Sequence, residues 1–141
     1  MKKLILMCAL VAISFCLFAC SSEVSVDVSC ADFYEFQHIS REVEVAVGDS
    51  FTVTLCSNPS TGLRWAELAE ISDQTVVEQV DHEYVAPPEK RRPPPPGTPG
   101  EEAWTFKALK EGKSTISLEY GQPWEGGTKA DWTFVLTVAV K

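Results

Sequence analysis

The residues best suited to chemistry in this chain are few. Of its 141 residues only two are histidines, His38 and His82, and five are cysteines. Nucleophilic catalysis needs a base beside the nucleophile. Neither histidine sits in a readable motif and no Ser-His-Asp or Cys-His arrangement can be picked out, so both read as surface histidines, and an enzyme is not expected. Nor do the cysteines and histidines show the close ligand spacing of a zinc site. No metal and no cofactor are expected. What remains is a stretch that presents groups without an evident reaction: Asn58-Pro59-Ser60-Thr61-Gly62-Leu63-Arg64-Trp65. A turn needs one good breaker. This one has an Asn, a Pro and a Gly, with two small hydroxyls held between them, and so reads as a presented surface.

The cysteines sort by position. Met1-Lys2-Lys3 is basic and Leu4 to Ala19 is almost wholly apolar, the length of a secretory signal core and short for a membrane span. It ends Leu17-Phe18-Ala19-Cys20, which resembles the bacterial lipoprotein processing site. That resemblance implies removal of residues 1–19, lipid on Cys20, and an exported protein anchored on the periplasmic or extracellular side of a membrane. Cys8 and Cys16 are lost with the signal. Cys30 and Cys56 are left as an even pair in an exported domain, which suggests one disulfide. Two buried free thiols are the alternative.

Without residues 1–19 the chain has 122 residues, enough for a single core. It loses Lys2 and Lys3, leaving 10 basic residues against 20 acidic, a net charge of −10. So acidic a domain lacks the basic face that nucleic acid requires. It is also repelled by anionic headgroups, so any membrane address must come from the lipid.

The elements that must hold the 58–62 turn are strands. In 41–47 Val43, Val45 and Val47 alternate with Glu42, Glu44 and Ala46; after Gly48-Asp49, Phe51, Val53 and Leu55 alternate with threonines. The same period of two recurs in Trp104/Phe106/Ala108, in Ile116/Leu118/Tyr120, and in Trp132/Phe134/Leu136/Val138/Val140. No long helical stripe appears. The pattern predicts an all-β fold, an immunoglobulin-like antiparallel β-sandwich. Residues 20–32 read as a lipidated tether and N-terminal segment, and 33–141 as the sandwich domain.

Two segments break the strand pattern. Residues 86–100 hold seven prolines in fifteen positions and form a long extended loop. Residues 121–127 are Gly-rich, with Trp124 between Pro123 and Glu125, a place where an indole is exposed and suited to anchoring an interface. If residues 63–86 make two strands, an even number of crossings separates the three loops, and all three emerge at one end.

With these motifs in order, the chain resembles the chagasin-type inhibitors of papain-like cysteine proteases over about residues 41–141. The family's Asn-Pro-Thr-Thr-Gly loop, followed by an aromatic and Trp, is matched by Asn58, Pro59, Ser60, Thr61, Gly62 and Trp65. Its Gly-rich loop before a Trp-x-Phe strand is matched by Gly97, Thr98, Pro99 and Gly100 before Trp104. Its Arg-Pro-Trp loop is matched by Gln122, Pro123 and Trp124. Departures are Ser60 for threonine, Leu63 for an aromatic, Gln122 for arginine, and Pro99 within the Gly-rich motif; they bear on affinity and on target choice. The resemblance implies a monomer that inhibits reversibly, its three loops (58–62, 86–100, 121–127) filling the active-site cleft, with Ser60 and Thr61 offering hydroxyls and backbone to the catalytic groups. The other reading of these features is an immunoglobulin-like surface lipoprotein that binds a glycan or another protein.

Overall fold

A computed structural model describes residues 23–89 and 92–141. The residues before 23, Cys20 and the apolar leader among them, lie outside the described residues, as do Lys90 and Arg91. The strands are β1 (Val24–Val28), β2 (His38–Val45), β3 (Ser50–Ser57), β4 (Arg64–Trp65), β5 (Glu70–Ile71), β6 (Val77–Val85), β7 (Gly100–Ala108), β8 (Gly112–Gly121) and β9 (Trp132–Val140); one helix, α1 (Cys30–Glu35), lies between β1 and β2. They form two sheets, ordered β1-β3-β7-β6 and β2-β9-β8-β4, with β5 also on β8. The fold is a β-sandwich.

Period-two alternation decides which side chains meet between the sheets. Phe51, Val53 and Leu55 face inward from β3, Trp104 and Phe106 from β7, Ile116 and Leu118 from β8, Phe134, Leu136 and Val138 from β9; all are buried. A fully buried side chain of this size is worth about 1.5–3 kcal/mol each, so these rows fix the register: shifting a strand by one residue would turn its row to water.

Two strand pairs are parallel, β1 with β3 and β2 with β9, in a sandwich expected to be antiparallel. The cause lies in the N-terminal segment. Residues 23–32, expected as a tether before a domain starting at 33, are instead built into the fold. Val24, Val26 and Val28 alternate in β1, which runs beside β3 to the end where β3 finishes, and α1 then carries the chain across that end to the other sheet. There β2 sets off alongside β9. The helix is short but well specified. Ser29 accepts from the Asp32 N–H and the Asp32 carboxylate accepts from the Ser29 N–H, a reciprocal cap. The Ser29 hydroxyl and backbone N–H also hold the Asp32 carboxyl below its usual range. Phe33, fully buried, pins α1 to the core against Trp65 and Trp132, with ring centroids 5.2 and 5.0 Å away.

Residues 64–71 complete the layout. β4 and β5 both run antiparallel to β8, at its Tyr120 end and at its Ile116 position. Together they make one interrupted crossing, and β6 makes the next. The number of crossings between the loops is therefore even.

Candidate functional site: three loops at one pole

β3, β6 and β8 end, and β4, β7 and β9 begin, at the same pole of the sandwich. The loops joining them are residues 58–63, 86–99 and 122–131. Their tips touch. The Asn58 side-chain N–H donates to the Gly97 carbonyl at 3.0 Å, joining the first loop to the second. The Trp124 ring lies 3.5 Å from where a Cβ on Gly62 would stand, joining the third to the first.

The first loop is stiff for reasons visible in its sequence. Pro59–Thr61 form a single 3-10 turn, with Thr61 N–H donating to Asn58 O and Gly62 N–H to Pro59 O, both at 3.1 Å. Gly62 ends the turn at φ +78°, which a side chain rarely tolerates. The Ser60 hydroxyl donates to the Asn58 carboxamide oxygen at 2.6 Å, and the Thr61 hydroxyl to the Asn58 carbonyl at 2.7 Å. Both hydroxyl protons are thus spent inside the loop. Pro59, Ser60 and Thr61 are exposed as a thin, self-bonded tip, and what the two hydroxyls can offer a partner is lone pairs.

The floor under this tip is polar and buried. Tyr120 Oη accepts from Asn58 N–H at 3.0 Å. The Glu102 carboxylate, facing inward from β7 in line with Trp104, accepts from the Ser57 hydroxyl at 2.6 Å. Its other oxygen pairs with His82 Nε2 at 2.8 Å. His82 is not the plain surface histidine expected; its ring also packs on Trp104, 4.9 Å between centroids. One carboxylate thereby ties the root of the first loop, through Ser57, to the strand that enters the second, through His82. An unpaired buried charge is costly, and this one has both oxygens satisfied. Glu102 was legible as an acid at an inward position of an alternating strand; its partners were not.

In the second loop Thr98 bonds back to Pro95 O through both its N–H (3.1 Å) and its hydroxyl (2.6 Å). Gly97 is exposed, Thr98 and Pro99 half-buried, and Gly100 buried. Gly100 marks a close approach: a Cβ there would stand 2.5 Å from Tyr84 Oη and from Val85 O. In the third loop Gln122 acts inward. Its Oε1 accepts from Thr128 N–H at 2.9 Å, and its backbone N–H donates to Thr128 O at 2.6 Å, closing the neck. The Lys129 ammonium donates to the carbonyls of Gln122 and Trp124 at 2.6 and 2.9 Å. Pro123 is exposed, and Trp124 stands half out, 51% exposed. Lys129 and Tyr120 hold the site although sequence reasoning gave neither a role there.

Cys30 and Cys56 are joined as a disulfide, Cα–Cα 5.0 Å, tying the start of α1 to a point two residues before Asn58.

A body of two packed sheets that carries three stiffened, adjacent loops at one pole is built to present a surface. Residues 44–138 match the chagasin family peptidase inhibitor I42. The chain belongs to the chagasin family of peptidase inhibitors and is not an enzyme. It is similar to Amoebiasin-2 of Entamoeba histolytica, 28% identical over 126 residues, covering 79% of this chain and 92% of the relative. Solved structures share the fold. The cysteine protease inhibitor EhICP2 from Entamoeba histolytica superposes with a TM-score of 0.63 at 22% identity, covering 85% of this chain and 98% of the other. PbICP-C, solved in complex with falcipain-2, gives 0.51 at 17% identity, covering 84% and 99%.

Proposed function

We propose that this chain is a reversible, tight-binding inhibitor of papain-like cysteine proteases, acting as a monomer that fills the active-site cleft with Asn58–Gly62, flanked by Gly97–Gly100 on one side and Gln122–Trp124 on the other. The observation that carries it is the contact among the three tips, Asn58 to Gly97 and Trp124 to Gly62. The solved complex of PbICP-C with falcipain-2 supports a papain-like partner.

The geometry gives the inhibition a physical form. The central tip is narrow enough for a groove because Ser60 and Thr61 carry small side chains. It resists cleavage because its backbone is folded into a bonded turn and lays no extended peptide across the nucleophile. Its hydroxyls and carbonyls are fixed before binding, so little ordering cost opposes association. Trp124 supplies the apolar anchor. The Lys129 bonds hold the carbonyls of Gln122 and Trp124 in place and so fix the backbone that carries the ring.

The leader and Cys20 add an address. β1 begins at Val24 at the pole away from the loops, and Cys20 is four residues earlier, a reach of about 14 Å when extended. A lipid on Cys20 therefore holds the sandwich by its base, on the periplasmic or extracellular side, with the three loops pointing into solvent.

The test is titration of papain and a cathepsin with the purified chain. Stoichiometric, reversible loss of activity with the inhibitor left uncut is expected. Full protease activity at micromolar chain would overturn the reading.

A further inference from the structure

The four exposed aromatic side chains among the described residues are Tyr34, Phe36, Tyr84 and Trp124. All four lie at the loop pole. Trp124 is in the third loop, and Tyr84 lies over Gly100 at the root of the second. Tyr34 and Phe36 belong to the α1 segment, which no part of the three-loop wedge requires.

α1 could close the core with Phe33 alone. Yet it also holds Tyr34 at 70% exposure, edge-on to Trp132 at 5.4 Å, and Phe36 at 57%. Trp132 is buried and is the first residue of β9 after the third loop, so Tyr34 stands at the root of the loop whose tip carries Trp124. The pair is presented rigidly. The Ser29–Asp32 cap, the Cys30–Cys56 disulfide and buried Phe33 fix the helix on three sides. A bilayer is a poor occupant for this face: Asp32 and Glu35 flank the rings, and β1 leads back from α1 to the opposite pole, where the N-terminal tether leaves.

We propose that α1 is a fourth contact element, seating Tyr34 and Phe36 on apolar surface of the protease beyond its cleft, on the side covered by the third loop. This rests on the three loops occupying that cleft. A whole aromatic side chain buries on the order of 150–250 Å², and more than half of each of these two is still open to water, a useful share of the roughly 800 Å² that one partner gives to an interface of standard size. Such an element sets target preference, because it reads the protease outside the groove that all enzymes of the class share.

The experiment compares the chain with its Tyr34→Ser/Phe36→Ser variant in titrations of papain and a cathepsin, with melting temperatures measured alongside. The variant is expected still to inhibit fully at high concentration, with the inhibition constant for at least one protease raised about tenfold or more through faster dissociation. Constants within twofold for both proteases would overturn the proposal while leaving the loops' role intact. Failure of the unaltered chain to inhibit either protease would instead remove the reading on which it rests. If the double variant melts well below the parent, Phe36→Arg, at a side chain exposed to water, serves in its place with the same criteria. A chain carrying Cys20→Ser is also spun down with phosphatidylcholine–phosphatidylglycerol vesicles. Sedimentation that depends on Tyr34 and Phe36, with inhibition unchanged by their loss, would assign the rings to lipid and overturn the proposal.

Discussion

At the pole where β1 begins, residues 46–49, 72–76 and 109–111 turn the chain within a few positions; main-chain bonds hold the first and last, Gly48 N–H to Ala108 O at 2.8 Å and Ala108 N–H to Asp49 O at 2.9 Å, and one carboxylate, that of Asp73 accepting from Thr75, pins the second. At the other pole the connections run over 58–63, 86–99 and 122–131, and side chains do most of the fastening, through Asn58, Ser60, Thr98, Gln122, Lys129 and Tyr120. Both poles solve the same topological problem of returning a strand. The difference shows that loop length at the second pole is not imposed by the fold. The chain there carries more backbone than the sandwich needs, and spends specific polar residues to keep it from moving. Exposed aromatic rings follow the same asymmetry, with all four of those among the described residues at the loop pole.

That contrast can be broken in graded ways. The largest effect is expected from Thr61→Arg, at the exposed tip of the central turn. A guanidinium there should bar the groove and weaken inhibition more than a thousandfold, about 4 kcal/mol, while the lost Thr61 hydroxyl bond to Asn58 O lowers stability by only about 1 kcal/mol; inhibition assays against papain, with melting temperature alongside, decide it. Replacing Cys30 and Cys56 together by serine unties α1 from the root of the first loop. It should cost about 2–4 kcal/mol of stability by chemical denaturation. Trp124→Ala should weaken protease binding by about 2 kcal/mol or more, a larger loss than the loss of stability, since half the ring is already in water.

These variants also mark what the sequence disclosed and what it withheld. The strand rows were readable because period two needs only neighbours in sequence, and Phe51, Trp104, Ile116 and Phe134 lie where alternation puts them. The three loops were readable because Pro and Gly punctuate them. α1 was missed because six residues carry no helical stripe, though Ser29 three before Asp32 is a start signal. Its companion β1 was passed over as a tether, since alternation of valines with Ser25 and Asp27 in five residues resembles a solvated lead-in until β3 supplies the partner. The polar floor was out of reach for a deeper reason. Ser57, His82 and Glu102 are far apart in sequence and meet only because β3, β7 and β6 pair side by side in one sheet, while Tyr120 reaches Asn58 from the other sheet. The inward role of Gln122 was hidden likewise, because a glutamine in a loop gives no sign of which way it turns.

Smaller perturbations sharpen the contrast. Tyr120→Phe keeps the buried ring, which stacks on Trp132 at 4.8 Å, but removes the acceptor for Asn58 N–H. A loss of about 1 kcal/mol in stability is expected, with a matching rise in hydrogen exchange at Asn58. Least of all should come from the opposite end. Glu44 and Lys141 form an ion pair that is exposed on both sides. Substituting both with alanine should change neither stability nor inhibition by more than about 0.5 kcal/mol. A large loss of inhibition from that pair would mean that the second pole is not alone in meeting the protease.

The most direct test of the wedge is protection of the protease's own nucleophile. Papain is treated with iodoacetamide in the presence of increasing amounts of the chain, and alkylation of its catalytic thiol is followed by mass. One equivalent of the chain should shield the thiol, the chain should remain uncut, and the Thr61→Arg variant should give no shielding. Alkylation at an undiminished rate while activity is inhibited would show that the loops act from outside the cleft, and would contradict the account.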